Sequence, residues 1–275
     1  MIFLLLAHAL ALCAYGLYER QARYLAQVLD ARQQWKDGHL EAAAALYQRY
    51  ATDYPRVTWP VILFKDYPSR ARAWYSLGRI QAQQNHTEEA LRAFNQSMAA
   101  EPGLGQRDYR NLLLELHRYA DLKRSAQIRL QQSALDMAAY WDLGASYLMN
   151  SEPQAAVQTY RQALTQLPQW QALHTGYRAG GRLSPEEADL RALLSIAYLQ
   201  SHDATNARTQ CQRVSDSPES IEHYDRLCAA YLAHWEGKPA QAIDTLKTYQ
   251  PPAPEHQWLL DQLKRQLSLP DAPKF

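Results

Sequence analysis

Apolar and small side chains recur along most of this chain at intervals of three or four residues, and short polar segments separate the runs. In residues 71–104 one run extends from Ala71 to Gln84, the polar turn NHTEE follows, and a second run extends from Glu88 to Ala100. This spacing gives a helix one apolar face. The segment is therefore predicted to form two antiparallel helices whose apolar faces pack together.

The same skeleton of residues occurs twice, 66 positions apart. Its first copy is Trp74, Leu77, Gly78, Ala90, Phe94 and Pro102, and its second copy is Tyr140, Leu143, Gly144, Ala156, Tyr160 and Pro168. Because 66 is close to twice 33 or 34, residues 71–104 and 137–170 are predicted to be two helix pairs with a degenerate pair between them. Glycine and alanine allow close helix axes, and the proline ends each unit because it cannot continue a helix.

This skeleton resembles the tetratricopeptide repeat. All six residues of the first copy occupy consensus positions of that family, and Tyr147 adds the usual aromatic residue of the second copy, whereas Gln81 departs from the pattern in the first. Weaker copies lie at 24–57, 188–220 and 221–252. The resemblance implies an all-α, tetratricopeptide-like superhelical solenoid of antiparallel helix pairs. Residues 253–275 would then supply a capping helix and tail that cover the last apolar face.

One segment interrupts the first block of repeats, which is assigned to residues 20–170. The interruption, 56–70 (RVTWPVILFKDYPSR), is too apolar for a solvated loop. It is interpreted either as an element that docks a partner or a membrane surface, or as a loop folded back onto the solenoid. Its candidate docking residues are Trp59, Ile62, Leu63 and Phe64.

An irregular connection at 171–187 separates the first block from the second, 188–252. Its last residues predict the start of a helix, because Ser184 can act as the N-cap and Pro185 fits the first turn. Glu187 would complete a capping box. The superhelical path is expected to change at this connection.

The first 19 residues are predicted to form a transmembrane signal-anchor helix. From Ile2 to Tyr18 the only ionisable side chain besides tyrosine and cysteine is His8, and these 17 residues make about 26 Å of helix. The anchor residues are Phe3, Leu5, Leu10 and Leu17. Flanking cations all follow the segment, at Arg20, Arg23, Arg32 and Lys36. The positive-inside rule therefore predicts a single-pass protein of the bacterial inner membrane with cytoplasmic repeats, and a periplasmic array is the alternative.

This plan is similar to that of bacterial membrane-tethered tetratricopeptide proteins of the lipopolysaccharide-assembly type. The run from Ala14 to Tyr18 resembles one near their anchor, but the CxxC metal module with which they end is absent, so their role does not carry over. Cys13, Cys211 and Cys228 show no CxxC spacing. Whether Cys211 and Cys228 pair or are small apolar core residues stays open at this point.

Charge and motif content exclude several classes of function. The 29 Lys and Arg nearly balance the 28 Asp and Glu, whereas a nucleic-acid binder needs a strongly basic face. The nine histidines lack paired ligand spacing, and no phosphate-binding loop, zinc-protease motif or nucleophile elbow is present. We therefore expect no metal, no cofactor, no nucleic acid and no enzymatic activity.

Inward positions of the first helices supply the candidate binding residues. In the tetratricopeptide pattern the groove would be lined by Arg72, Tyr75, Arg79, Gln83, Tyr109, Trp141, Leu148 and Met149. This lining suits an extended peptide or helix that carries acidic and apolar groups, unless Tyr75 and Trp141 merely pack against the adjoining repeat. The expected function is a membrane-anchored scaffold or adaptor for other proteins of a cell-envelope complex, with oligomerisation left open. The alternative is a periplasmic chaperone-like module that binds extended client segments.

Overall fold

The structure, a computed structural model, describes residues 2–53, 69–174, 184–215, 222–247, 249–251 and 254–267. All secondary structure in these ranges is α-helical, which confirms the expected all-α fold. The helices are α1 (Ile2–Lys36), α2 (Leu40–Asp53), α3 (Arg70–Gln83), α4 (Thr87–Ala100), α5 (Gln106–Glu115), α6 (Tyr119–Gln132), α7 (Met137–Met149), α8 (Pro153–His174), α9 (Pro185–Gln200), α10 (Ala204–Ser215), α11 (Glu222–Trp235), α12 (Pro239–Leu246) and α13 (Pro254–Gln266).

The chain divides into two compact units, residues 1–112 and 113–275, and each is described by itself. In the first unit α1 packs against α2, α2 against α3, and α3 against α4. In the second unit α7 packs against α6 and α8, α9 against α8, α10 and α11, and α11 against α12. Most helices that follow each other in the chain therefore pack as neighbours, as expected for successive helix pairs.

Six turns between paired helices in the described ranges share one backbone geometry. The residues at positive φ, between 55° and 81°, are Gly38, Asn85, His117, Ser151, His202 and Gly237. The next N–H donates to the carbonyl five residues earlier, as from His86 to Gln81 (2.9 Å) and from Glu152 to Tyr147 (2.8 Å). This arrangement is the Schellman motif, which satisfies the last carbonyls of a helix. It also closes α5 and α6, so the pair with a degenerate sequence has the same turn as the others.

Small residues set the distance between the helices of a pair. A Cβ atom at Gly78 of α3 would lie 2.7 Å from the Phe94 ring of α4. Gly144 of α7 faces the ring of Tyr160 of α8 in the same way. Both rings are buried, with exposed fractions of 1% and 0%. The helices can lie this close only because neither glycine has a side chain.

The departure from the family pattern at Gln81 has a local explanation. Its side-chain oxygen lies 2.9 Å from Nδ1 of His86, the residue that follows the turn. The corresponding contact in the first pair joins Gln34 and His39 at the same distance, 2.9 Å. An amide at this position therefore holds the turn through a polar contact instead of filling apolar space.

Pro168 does not end its helix, contrary to the sequence prediction, because α8 continues through it to His174. Proline in a helix interior removes one hydrogen bond to the preceding turn. Here the turn around it is held by burial: Leu167 is buried, and Trp170 packs against the core. Gln171 also donates to the hydroxyl of Ser184 at 2.6 Å. These contacts offset the lost backbone bond and lengthen the second helix of this pair.

The start of α9 agrees only in part with the predicted capping box. Ser184 is the N-cap, and its hydroxyl accepts from the backbone N–H of Glu187 at 3.1 Å. The carboxylate of Glu187 does not reach back to the cap. It accepts instead from the guanidinium of Arg191 at 2.7 and 3.0 Å, one turn later in the helix.

The predicted anchor is not a separate element, because α1 runs without a break from Ile2 to Lys36. Its second half belongs to the first helix pair, where Val28 and Ala31 are buried against α2. Among the described residues, no helix combines the length and the apolar character that a membrane span requires, so the expected transmembrane helix is not supported. The side chains of the predicted anchor residues lie outside the described ones: Phe3, Leu5, Leu10 and Leu17.

Cys211 of α10 and Cys228 of α11 form a disulfide whose Cα atoms are 5.9 Å apart. This separation is within the usual range for a disulfide. Both sulfurs are in a buried cluster with Ala192 of α9. The bond links successive helix pairs and resolves the alternative that the sequence left open.

Replacing Gly78 with valine is expected to lower the free energy of unfolding by about 1–3 kcal/mol, because the new side chain must displace the Phe94 ring in a filled interior. Gly16 is a matched control, since it is helical and exposed and an added Cβ would meet no heavy atom within 4 Å. Gly16→Val should change the same free energy by less than about 0.5 kcal/mol. Urea unfolding followed by circular dichroism measures both. Equal unfolding midpoints would contradict the packing role of Gly78.

Candidate protein-binding surfaces

Four of the predicted residues lie on one face of α3 in the first unit. Arg72, Tyr75, Arg79 and Gln83 follow each other at intervals of three or four residues, so they share one side of the helix. The side chains of Arg72, Arg79 and Gln83 are exposed, and Tyr75 is half-buried. These four residues, together with Trp35 of α1, are called the α3 face below.

Contacts with Trp35 hold the α3 face in a defined arrangement. The Arg79 guanidinium lies between two aromatic rings, 5.3 Å from the centroid of Trp35 and 5.9 Å from the centroid of Tyr75. The indole N–H of Trp35 donates to the side-chain oxygen of Gln83 at 3.0 Å. A cation over an aromatic ring is attracted by the ring's negative face. Arg79 is therefore ordered although it stays accessible to a partner.

Tyr75 connects the α3 face to α5. Burial raises the pKa of its hydroxyl, the nearby Asp108 side chain raises that pKa further, and Arg79 acts in the opposite direction. The hydroxyl is therefore protonated near neutral pH. Tyr109 is the next residue on α5 and is half-buried. Arg72 and Arg79 on this face are exposed and give it a positive character.

The sequence did not identify Trp35 as part of this surface. Asp30 and Ala31 stand in α1 where the family pattern has leucine and glycine, so the inward register of that helix could not be assigned. Its sequence context does contain a signal, because a tryptophan within an otherwise polar stretch of helix usually makes a tertiary contact. In the structure, Trp35 contacts Arg79 of α3, which is the first helix of the next pair.

A cleft of about 400 Å³ opens between α2 and α4 of the first unit. Its lining consists of Gln48, Trp74, Leu77, Gln81, Glu89, Arg92, Ala93 and Gln96. Trp74, a residue of the repeated skeleton, is half-buried and lines this cleft. Glu89 and Arg92 pair at 2.7 Å, so the lining carries no net charge. This cleft could not be predicted from the sequence, because most of its polar lining residues are glutamines that resemble ordinary surface residues.

In the second unit the predicted groove residues of α7 are covered. Leu148 is only 2% exposed, and Trp141 and Met149 are half-buried. Leu148 and Met149 face Trp258 and Leu259 of α13 across a gap that has no room for a water molecule. These positions therefore pack against another helix of the same chain, and their role in binding a partner stays a prediction.

The helix α13 makes contacts well beyond the last helix pair, which it was expected to cap. Side-chain contacts place it across α7, α9 and α11, the first helices of three successive pairs. Leu259, Leu260 and Leu263 are buried in the core of this unit. The ring of Trp258 meets that of Tyr119, at the start of α6, with centroids 6.3 Å apart.

Polar contacts also hold α13 in place. Nε2 of His256 lies 2.7 Å from Oδ1 of Asp189 at the start of α9, and both residues are buried. Tyr231 of α11 donates its hydroxyl to the Leu259 carbonyl at 2.7 Å. Burial raises the pKa of Tyr231, which keeps this donor protonated. The inward face of α7, α9 and α11, called the α13 face below, is thus complementary to one particular helix.

The predicted docking residues Trp59, Ile62, Leu63 and Phe64 lie outside the described residues, and their role stays a prediction. Within the described ranges, no group of three or more His, Cys, Asp or Glu side chains is placed to hold a metal ion. The surfaces on which a function can be argued are therefore the α3 face, the cleft at Trp74 and the α13 face.

No protein-family model matches the chain, and no curated protein matches it in sequence. Solved structures do resemble it. A tetratricopeptide repeat protein from Parabacteroides merdae has a TM-score of 0.58 at 15% identity, over 89% of this chain and 87% of that one. MamA from Desulfovibrio magneticus has a TM-score of 0.47 at 14% identity, over 72% and 97% of the two chains. YrrB, a TPR protein with an unusual peptide-binding site, has a TM-score of 0.45 at 15% identity, over 77% and 90%.

Of these three matches, the one to the Parabacteroides merdae protein bears on the fold, because its TM-score exceeds 0.5. At 15% identity it shows shared architecture and leaves the function open. The recurring Schellman turns and the contacts between glycine and aromatic rings agree with it. The chain therefore has the fold of tetratricopeptide repeat proteins.

Proposed function

We propose that this chain is a scaffold or adaptor that binds other proteins, and the α3 face is the observation that carries this proposal. Paired helices in this fold present a broad surface built from their first helices. On that surface the chain places a tryptophan, a tyrosine and two arginines, which are the residue types that dominate binding energy in protein interfaces. An ordered but accessible Arg79 loses little conformational freedom when a partner binds.

The chemistry of the α3 face favours an extended partner segment with acidic and apolar side chains. Arg72 and Arg79 can each donate two hydrogen bonds to a carboxylate, which gives geometric specificity as well as charge attraction. The rings of Trp35 and Tyr75 can take an apolar side chain beside that carboxylate. The proposal assigns no catalytic chemistry, since the chain carries none of the catalytic motifs considered above.

The proposal predicts that binding of protein partners depends on the α3 face. The double substitution Tyr75→Ala with Arg79→Glu should reduce recovery of cross-linked partners at least about tenfold, because it removes two central contacts and reverses a charge. Arg49→Glu on α2 is the matched control: it makes the same charge reversal on a side chain that is 69% exposed. Quantitative mass spectrometry of affinity-purified complexes measures the recovery. If the double variant keeps its unfolding midpoint and recovers the same amount of partner protein as the unaltered chain, the proposal is contradicted.

Attachment to a bacterial inner membrane, with a role in a cell-envelope complex, is a separate part of the proposal. Its support is the sequence alone: the run from Ile2 to Tyr18 contains no Asp, Glu, Lys or Arg. We expect the full chain to stay in the membrane pellet after extraction with alkaline carbonate, since this treatment removes proteins held by charge but not by apolar insertion. Substituting Leu5 and Leu10 with aspartate should release it. Complete extraction of the unaltered chain would refute the attachment.

A second candidate function is a periplasmic module that binds extended client segments. The observation that favours it is the disulfide between Cys211 and Cys228, because disulfides persist in oxidising compartments such as the periplasm and are rare in the cytosol. Both candidates use the same binding surface. They differ in the compartment that the repeats occupy.

Thiol labelling decides between these two compartments. The chain has three cysteines, so denatured protein from cells quenched with acid should take up one maleimide-polyethylene glycol, at Cys13, if the repeats are periplasmic. After reduction it should take up three. Cys211→Ala is the control, because it leaves Cys228 free and should give two adducts without reductant. Three adducts in the unreduced, unaltered chain would exclude the periplasmic candidate.

A further inference from the structure

We propose that the α13 face of the second unit is a helix-binding site, which α13 occupies in this structure and which an amphipathic helix of a partner protein takes in exchange. This inference goes beyond the proposed function. It concerns a different surface from the α3 face, and it assigns a helical ligand with an apolar face to that surface instead of an extended acidic segment.

Equivalent positions of α3 and α7 show the difference between the two surfaces. Residues 66 positions apart correspond in the two repeats: Tyr75 to Trp141, Arg79 to Ala145 and Gln83 to Met149. In α3 these positions are polar or aromatic and are exposed or half-buried, whereas in α7 all three are apolar, and Ala145 and Met149 line a narrow gap against α13. Small and flexible apolar residues such as alanine and methionine fit the ridges of an incoming helix. The α7 side is therefore built to receive a helix.

The residues through which α13 contacts the α13 face define the chemistry that a partner helix needs. Trp258, Leu259, Leu260 and Leu263 form the buried side of α13, at the spacing of an amphipathic helix. His256, two residues before Trp258, meets the buried Asp189 of α9 at 2.7 Å. A partner helix should therefore carry a bulky aromatic residue, leucines one, two and five positions later, and a group that donates a hydrogen bond to Asp189.

The way α13 is held is compatible with exchange. Its backbone comes close to α11, and side chains such as Trp258 and His256 contact α7 and α9. Several of its contacts are polar: Tyr231 binds the Leu259 carbonyl, and Gln200 donates to Gln262 at 3.3 Å. Such hydrogen bonds can be made again by a different helix or by water. Its buried leucines make apolar contacts that the leucines of a matching partner helix would replace.

Mass action sets how strongly a partner must bind. A helix on the same chain competes at an effective concentration of about millimolar. A free helix of equal intrinsic affinity therefore binds the unaltered chain weakly, and it binds tightly once α13 is weakened. The surface would select partners whose helix matches it better than α13 does.

Peptide exchange on the full chain tests the inference. The probe is a fluorescein-labelled peptide of residues 254–267, PEHQWLLDQLKRQL, and fluorescence anisotropy measures its binding. Leu263→Glu places a carboxylate on the buried side of α13 and leaves the residues of the α13 face unchanged. This variant should bind the probe at least about tenfold more tightly than the unaltered chain, because its open form becomes populated.

Three controls make the result specific. Gln257→Glu adds the same carboxylate at an exposed position of α13, and it should bind the probe as weakly as the unaltered chain does. Adding Met149→Lys to Leu263→Glu should reverse the gain, because a cation then lies in the receiving face. Adding Tyr75→Ala to Leu263→Glu should leave the gain in probe binding unchanged, because Tyr75 belongs to the first unit. A failure of the α3 face and a failure of this inference are thereby distinguishable.

Each other outcome contradicts the inference. A folded Leu263→Glu chain that binds the probe no more tightly than the unaltered chain would show that the surface does not accept a free helix. Loss of the helical circular dichroism signal in this variant would show that α13 is a permanent part of the core. A mass of twice 31.5 kDa for the unaltered chain by light scattering, absent in Leu263→Glu, would assign the surface to α13 of a second copy.

The unaltered chain gives an independent readout that needs no destabilising substitution. A saturating probe that carries Lys264→Gln and Arg265→Gln is not itself cleaved at these sites by trypsin. If it displaces α13, the rate of tryptic cleavage of the chain after Lys264 and Arg265 should rise about threefold or more, because cleavage requires local unfolding of the helix. A rate that does not change with probe concentration would overturn the exchange.

Discussion

In both helix pairs that carry the repeated skeleton, a glycine in the first helix packs directly against an aromatic ring in the second. Gly78 meets Phe94, and Gly144 meets Tyr160. Since a ring cannot pack flat against a helix that carries a Cβ at the crossing, the identity of these residues sets how close the helix axes lie. The Schellman turns then close each pair at one end. Packing within the pairs leaves the inward positions of the first helices free to differ.

Function is best sought at the positions that differ between the two units. In the first unit an arginine lies between two aromatic rings on a face that stays exposed. In the second unit the equivalent positions are apolar, and Ala145 and Met149 lie against α13. One fold thus presents two kinds of surface, one suited to acidic and apolar segments and the other to an amphipathic helix. This combination is consistent with a scaffold that brings different proteins together.

The sequence predicted the helix pairs well, because packing positions such as Leu77, Gly78 and Ala90 tolerate few residue types and therefore recur visibly. It predicted less about surfaces. Trp35 was missed because α1 lacks the family's usual Leu-Gly and its register could not be set. The proline rule failed at Pro168, where tertiary burial outweighs the loss of one hydrogen bond. Local propensity cannot anticipate such long-range compensation.

The position of α13 was the largest gap between sequence and structure. Its leucines at helical spacing indicated an amphipathic helix, which is correct, but an apolar stripe does not reveal which of several apolar faces it covers. The specific cue was the pairing of His256 with Asp189, two residues 67 positions apart. Such a pair is recognisable only once the fold brings α9 and α13 together. The same applies to Cys211 and Cys228, whose spacing alone left pairing open.

The central claim is that equivalent inward positions are accessible on α3 and covered on α7. Carbene footprinting of the native full chain measures side-chain accessibility at both sites in one experiment. The account predicts that the segment from Arg72 to Gln83 takes up at least about three times as much label as the segment from Trp141 to Met149, because buried side chains are shielded from solvent-borne reagents. Equal labelling of the two segments, or stronger labelling of the second, would contradict the account.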